Sequence, residues 1–102
     1  MELNSAIPIW SQLRDEFSRR ITSGSWSPGS KIPSVRDLAQ MVGANPNTVQ
    51  RALSELEREG LAVSERTAGR FVTQDQDKIL LTRQKAFLEH SEQFAALPDD
   101  FA

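Results

Sequence analysis

A mainly α fold with one small β-hairpin is what this sequence predicts, and three observations predict it. Apolar residues recur at three- and four-residue spacing through three segments between Pro8 and Gly60, the period of helices that bury one stripe. Start and stop signals separate those segments: Gly24, Ser34, Gly43, Asn45-Pro46 and Gly60. Two short β-prone runs then flank Thr67-Ala68-Gly69, the pattern of a hairpin.

The elements follow in order. Residues 1–7 read as a loose arm, and Pro8 suits the first turn of a helix, where its missing N–H costs nothing. Ile9, Leu13, Phe17 and Ile21 make one apolar stripe with Trp10 beside it, while Arg14, Asp15, Arg19 and Arg20 take the other faces. Gly24 ends this helix. Ser27-Pro28-Gly29 fits a type II turn, with Pro fixing the first central residue and Gly supplying the positive φ of the second. Ser34 is a helix N-cap, and Asp37 resembles its reciprocal partner in a capping box. Val35, Leu38, Ala39 and Val42 give the second helix its buried side, and Gly43 breaks it.

Asn45 and Pro46 restart the chain as N-cap and first helical residue. In the third helix Val49, Ala52, Leu53 and Leu56 face inward, leaving Asn47, Thr48, Gln50, Arg51, Ser54 and Arg58 outside. Gly60 closes it, and residues 61–66 and 70–73 read as the two strands of the hairpin. Three helices followed by a hairpin is the winged helix-turn-helix arrangement. From Gln74 to about Leu97 the pattern is helical again: Leu80, Phe87 and Phe94 fall seven apart, and Leu81, Leu88 and Ala95 repeat the interval. An acidic helix carrying these apolar pairs needs a partner, either the back of the domain or a second copy of the tail. Residues from Pro98 onward read as a frayed end. The expected organisation is therefore a winged-helix domain over 1–73 and a helical tail over 74–102 that serves as a dimerisation element.

The bulk numbers set limits. A chain of 102 residues buries roughly two-thirds of its unfolded surface and folds without staples. The absence of Cys excludes disulfides and thiolate metal sites and fits a reducing compartment. No apolar run approaches the ~18 residues of a membrane span, and the N-terminus lacks the basic and apolar regions of a signal peptide. A soluble cytoplasmic protein without a membrane partner is expected. The net charge of −2 divides unevenly: residues 1–73 hold 9 Lys/Arg against 8 Asp/Glu, and residues 74–102 hold 3 against 6. What matters for a nucleic-acid partner is the charge of the contacting face, and between Asp37 and Glu55 there is no acidic residue at all.

That acid-free stretch suits a surface lying against a polyanion. The major groove of DNA admits one helix, whose N-terminal side chains reach base edges. Asn47 and Gln50 suit bidentate pairing with adenine, Thr48 a thymine methyl or a phosphate, and Arg51 a guanine or a phosphate. Asn45 and Thr48 are equally well read as helix caps, and a cap can also touch a phosphate. Arg36 sits in the first turn of the second helix, where a cation opposes the helix dipole. It reads either as a phosphate clamp, helped by Ser34 and nearby N–H groups, or as an ordinary solvated side chain. Arg66 and Arg70 flank the hairpin tip, where they either meet the minor groove or backbone or pair across the strands with Glu65.

Nothing suggests catalysis. His90 is the lone histidine and has no second His or Cys to complete a metal site. Glu55, Glu57 and Glu59 belong to a charged helix face, and neither a phosphate-binding glycine loop nor a nucleophile with its base is present. No enzyme activity, metal or cofactor is expected.

At these residues the chain resembles the DNA-binding domain of the gluconate-repressor (GntR) family of bacterial regulators. The matching segments are Pro8-Ile-Trp-Ser-Gln12, Gly24 through Pro28-Gly-Ser-Lys-Ile-Pro-Ser-Val-Arg36, Leu38-Ala39, Gly43-Ala-Asn-Pro-Asn-Thr-Val49, Arg51-Ala52, Leu56-Glu57, Glu59-Gly-Leu61 and Gly69-Arg-Phe-Val72. They cover about residues 8–73 in unbroken order, and Asn45-Pro-Asn-Thr-Val49 is similar to the short-tailed YtrA-like subfamily. The resemblance implies a winged helix that binds a palindromic operator as a homodimer and usually represses. By position it implies DNA contacts at Arg36, at Asn45, Asn47, Thr48 and Gln50, and at Arg66 and Gly69 in a wing that enters the minor groove. Thr67 and Ala68 stand where the family usually has a second glycine, which shifts more of the tip contact to Arg70. Longer members carry an effector domain after the wing. The 29 residues after Thr73 are too few to enclose a metabolite alone, so a dimerisation helix or short helical hairpin is expected, with Leu80, Leu81, Phe87, Leu88 and Phe94 at its seam. The sequence names no small-molecule effector. A reading from another class, a winged helix acting as a protein-interaction module without sequence-specific DNA binding, would be favoured by acidic residues on the outer face of the third helix, where polar ones stand instead.

Overall fold

The structure is a computed structural model and describes residues 8–95, with side chains through Glu89. The expected arm at 1–7, the side chains of His90, Phe94 and Ala95, and the end from Pro98 lie outside the described residues. The elements are α1 (Ile9–Thr22), α2 (Val35–Val42), α3 (Pro46–Arg58), β1 (Ala62–Glu65), β2 (Gly69–Val72) and α4 (Gln76–Ala95). The winged-helix order is thus present, followed by one continuous helix, the first of the two forms expected for the tail.

In α1, Pro8 stands just before the helix, and its carbonyl accepts from Ser11 and Gln12 N–H at 3.1 and 3.2 Å. Leu13, Phe17 and Ile21 are buried as the stripe predicts, but Ile9 is 47% exposed. The first turn of α1 overhangs the core and lies beside the start of α3, where Ile9 and Trp10 line a depression with Asn47, Thr48 and Arg51. Phe17 stacks on Trp26 with ring centroids 5.5 Å apart, and the Arg20 guanidinium lies over both rings. The turn after α1 is type II: Gly29 has φ +78°, and Ser30 N–H donates to the Ser27 carbonyl at 3.0 Å.

The two central helices start on the expected caps. Ser34 Oγ accepts from Asp37 N–H at 3.1 Å, and Asn45 Oδ1 accepts from Asn47 N–H at 2.8 Å with Pro46 following as the first helical residue. From α2, Leu38 and Ala39 enter the core, where Val49, Ala52, Leu53 and Leu56 of α3 meet them and the α1 stripe. At the end of α3, Gly60 N–H donates to Glu57 O at 3.0 Å and Leu61 N–H to Leu56 O at 2.9 Å, the paired bonds of a Schellman ending, with Leu56 and Leu61 both buried.

That ending explains two small departures in the hairpin. Leu61 caps α3, so β1 begins at Ala62 and β2 ends at its partner Val72, although Thr73 N–H still donates to Leu61 O at 2.9 Å. The strands pair antiparallel from Ala62↔Val72 to Glu65↔Gly69, which puts Arg66 in the tip and Gly69 in the strand. Ala62 and Val72 are buried and anchor the wing, while its distal end is exposed. The sequence did not signal the third edge. Ile32 N–H donates to Arg70 O at 2.8 Å and Val72 N–H to Ser30 O at 2.9 Å, with Lys31 bridged to Phe71. The segment ahead of α2 thereby covers an otherwise open strand edge.

Helix α4 starts at Gln76, two residues later than expected. Thr73 Oγ1 accepts from Asp75 N–H, and Asp75 Oδ1 then caps the helix by accepting from Lys78 N–H, each at 3.1 Å. Ile79 is buried in the core. Lys78 Nζ donates to Glu59 O at 3.3 Å and Arg83 Nε to Thr22 O at 2.8 Å, which places cations at the C-terminal ends of α3 and α1. The body leaves the paired apolar positions uncovered: Leu80, Leu81, Phe87 and Leu88 are 47, 65, 69 and 61% exposed. Among the described residues no helix is long and apolar enough to cross a membrane.

Candidate nucleic-acid interface

The outer face of α3 is built by its own cap and stripe. With Val49, Ala52 and Leu53 turned inward, Asn47, Gln50 and Arg51 are exposed and Thr48 is half-buried. Asn45 Oδ1 is engaged as the cap, and Gln50 Nε2 donates to Ser54 Oγ at 3.1 Å one turn on. Arg51 is held: its guanidinium carbon lies 4.3 Å from the centre of the Trp10 ring, a cation–π contact. Sequence patterning placed Trp10 merely beside a core stripe and missed this role.

The charges divide sharply. In the body, Arg14 pairs with Asp15 and Glu59, Arg19 and Arg20 with Glu16, Arg58 with Glu55, and Arg70 with Glu57. Lys78, Arg83 and Lys85 of α4 are in no ion pair with a described carboxylate, and within residues 8–73 neither are Lys31, Arg36, Arg51 and Arg66. These four lie ahead of α2, in its first turn, on α3 and at the wing tip, which are the elements expected to meet DNA. The three glutamates of α3 and its cap each hold a different arginine, so none is part of a paired-carboxylate site. No cluster of His, Cys, Asp or Glu suited to a metal occurs among the described residues.

Between the wing and the start of α2 lies a groove of about 600 Å³ lined by Lys31, Ser34, Arg66, Gly69 and Arg70, among others. Gly69 has φ +115°, a backbone state that L side chains rarely adopt, and an added Cβ would come 2.9 Å from Lys31 Cε. Glycine here lets the strand start at a tight angle and lets the Lys31 stem lie against it. Lys31 belongs to no helical or strand period, and its sequence signal is its place three residues ahead of the Ser34 cap.

Arg70 sits differently from Arg66. Its side chain is only 17% exposed, and its Nε donates to Glu57 Oε1 at 2.6 Å, while Ser64 Oγ donates to the same carboxylate oxygen. Glu57 therefore clasps both strands of the wing to α3. Burial pushes the Glu57 carboxyl up, but the hydrogen bonds from Ser64 and Arg70 outweigh it and hold the group below its ordinary value. The same balance, with Arg19 and Arg20 as donors, lowers Glu16. A carboxylate depressed in the folded state contributes stability above its unfolded value, near 4.5, and loses it as pH falls through the lowered one. The melting temperature should therefore be flat near neutrality and fall below about pH 4.5. Glu57→Gln should melt lower at neutral pH and show a shallower acid limb; an unchanged pH profile would refute the clasp.

Residues 10–72 match the family described as bacterial regulatory proteins, gntR family. The chain belongs to that family. The YtrA transcriptional repressor of Bacillus subtilis is 41% identical over 71 residues, 70% of this chain and 55% of the repressor. The regulator YhcF of the same organism is 38% identical over 88 residues, 81% of this chain and 73% of that protein. The gntR-family chain thus spans about half the length of YtrA. Among solved structures, a GntR family regulator from Listeria monocytogenes aligns with a TM-score of 0.86 at 30% identity, over 92% of this chain and 82% of that one. The DNA-binding domain of AraR in complex with operator ORE1 aligns with a TM-score of 0.63 at 32% identity, over 71% of this chain and 90% of that one. The family and these relatives are regulators of transcription and not enzymes, and this gntR-family chain carries their winged-helix DNA-binding fold.

Proposed function

We propose that this chain binds a two-fold symmetric DNA operator as a homodimer and represses transcription from it, in the cytoplasm. The observation that carries the reading is the placement of unpaired charge. Within residues 8–73 carboxylates neutralise the other arginines, and Lys31, Arg36, Arg51 and Arg66 are left without an ion pair ahead of α2, on α2 and α3, and at the wing tip. A duplex supplies the missing counter-charges as phosphates. Asn47, Gln50 and Arg51 then face base edges in the major groove, Asn45 and Thr48 combine capping with backbone contact, and Ser34 and Arg36 grip a phosphate. The wing tip brings Arg66 and Gly69 to the adjacent minor groove, and Arg70 aims the wing through Glu57 while staying near the backbone.

Residues 1–73 act as the DNA-binding unit and 74–102 as the dimerising tail, joined along Leu80, Leu81, Phe87 and Leu88, with Phe94 as their continuation in sequence. Pairing two copies would set the α3 helices about 10 bp apart, or a multiple of that. The repressor name of YtrA and the operator complex of the AraR domain support the reading for those proteins and suggest it for this one.

Titration of labelled duplexes at several salt concentrations tests it. Arg36→Ala should weaken binding to every duplex alike and reduce the slope of log affinity against log salt by about 1. Asn47→Ala should act at particular base pairs. Wild-type affinity in both variants would refute the interface, and a footprint without two-fold symmetry would refute the dimeric operator.

A further inference from the structure

The geometry points to Trp10 as a positioning residue that sets Arg51 to read a guanine, an inference that rests on the DNA-binding proposal. Arg51 is one turn beyond Asn47 on α3, so the two share a face, and Thr48 lies between them on the same side. All three line a single depression with Ile9 and Trp10. The depression is therefore made by two elements distant in sequence, the first turn of α1 and the first two turns of the reading helix. It is the place where α1 joins the surface proposed to face DNA.

Two observations single out Arg51 within it. Its charge is felt by Glu55 one turn on, but that carboxylate is hydrogen-bonded to Arg58 and no described carboxylate forms an ion pair with Arg51. Its guanidinium carbon lies over the Trp10 ring, 4.3 Å from the ring centre, a cation–π contact that holds the group in place. A guanidinium covered on its face can still donate from its edge. It is planar and forked, and that edge matches two adjacent acceptors bidentately. Guanine O6 and N7 present such a pair in the major groove. The stack also removes freedom that a long side chain would otherwise lose on binding, and pre-organisation of that kind favours affinity for one geometry. The overhang of Ile9 and Trp10 beyond the core is what makes the platform available.

The test uses the full chain and sequences selected from random duplexes. Wild type should prefer guanine at one position in each half-site, and 7-deazaguanine there, which lacks the N7 acceptor, should weaken binding. Arg51→Ala and Trp10→Leu should each reduce the guanine preference roughly tenfold, and the double variant should lose no more than either alone. Trp10→Phe, which keeps a π face, should retain the preference. Arg51→Lys keeps the charge without the planar fork, so it should lower the preference while holding the salt slope, and it tests the reading even where Trp10→Leu is poorly folded. The inference is overturned if a folded Trp10→Leu or Arg51→Lys keeps the full preference. It is also overturned if Arg51→Ala weakens all sequences equally with a lower salt slope, which marks a phosphate contact. A wild-type chain that selects no sequence would defeat the operator reading itself, whereas selection untouched by Trp10 would defeat this inference alone.

Discussion

Phe17→Ala should destabilise the fold by about 3–5 kcal/mol, a large share of the roughly 5–15 kcal/mol that holds a domain together. Phe17 is fully buried at the centre of α1, and its loss acts through three routes. The apolar surface of the ring is no longer removed from water. A cavity opens between α1 and the core layer of α3, which two short helices and a hairpin have little freedom to fill. Trp26 also loses its stacking partner, and with it goes part of the seat for the Arg20 guanidinium. Urea unfolding followed by Trp fluorescence should give a much lower midpoint, and a loss below about 1 kcal/mol would show that the site collapses freely.

On the proposed dimer, replacing Leu80 and Phe87 together with serine should leave only monomer in sedimentation and weaken binding to a full operator by roughly 100-fold or more, because joining two half-site readers multiplies their separate affinities. The fold should survive. Both side chains are about half or more exposed, and surface changes of this kind stay within about 0.5 kcal/mol. Affinity for an isolated half-site should hardly move, which separates loss of pairing from damage to the reading face. A variant that still sediments as a dimer would refute the tail as the seam.

Much of the body could be read because its signals are local. The caps at Ser34 and Asn45, the Pro46 start and the inward stripe of α3 each depend on residues within one or two turns, and each stands where expected. What escaped the sequence needs contact between distant segments. Trp10 over Arg51, Glu57 between Ser64 and Arg70, and the segment around Lys31 lying along β2 join residues whose spacing carries no period. Ile9 fitted the apolar stripe and yet lies at the overhang, because periodicity assigns a face without saying where the core stops. The reading of Arg70 shows the same limit. The sequence placed it near the tip, and only the fold pairs it with an acid on α3.

The two cations of α4 have a geometric consequence. Lys78 holds the end of α3 and Arg83 the end of α1, so the tail and the proposed reader turn as one piece, like a key and its bow. In a pair joined through the tails, the distance and phase between the two readers would then be decided by where the tails cross. Deleting one residue between Arg83 and Phe87 would turn the rest of the tail by about 100° and shorten it by about 1.5 Å. The handle would still fit the hand, but the two keys would no longer face locks on the same side of the door.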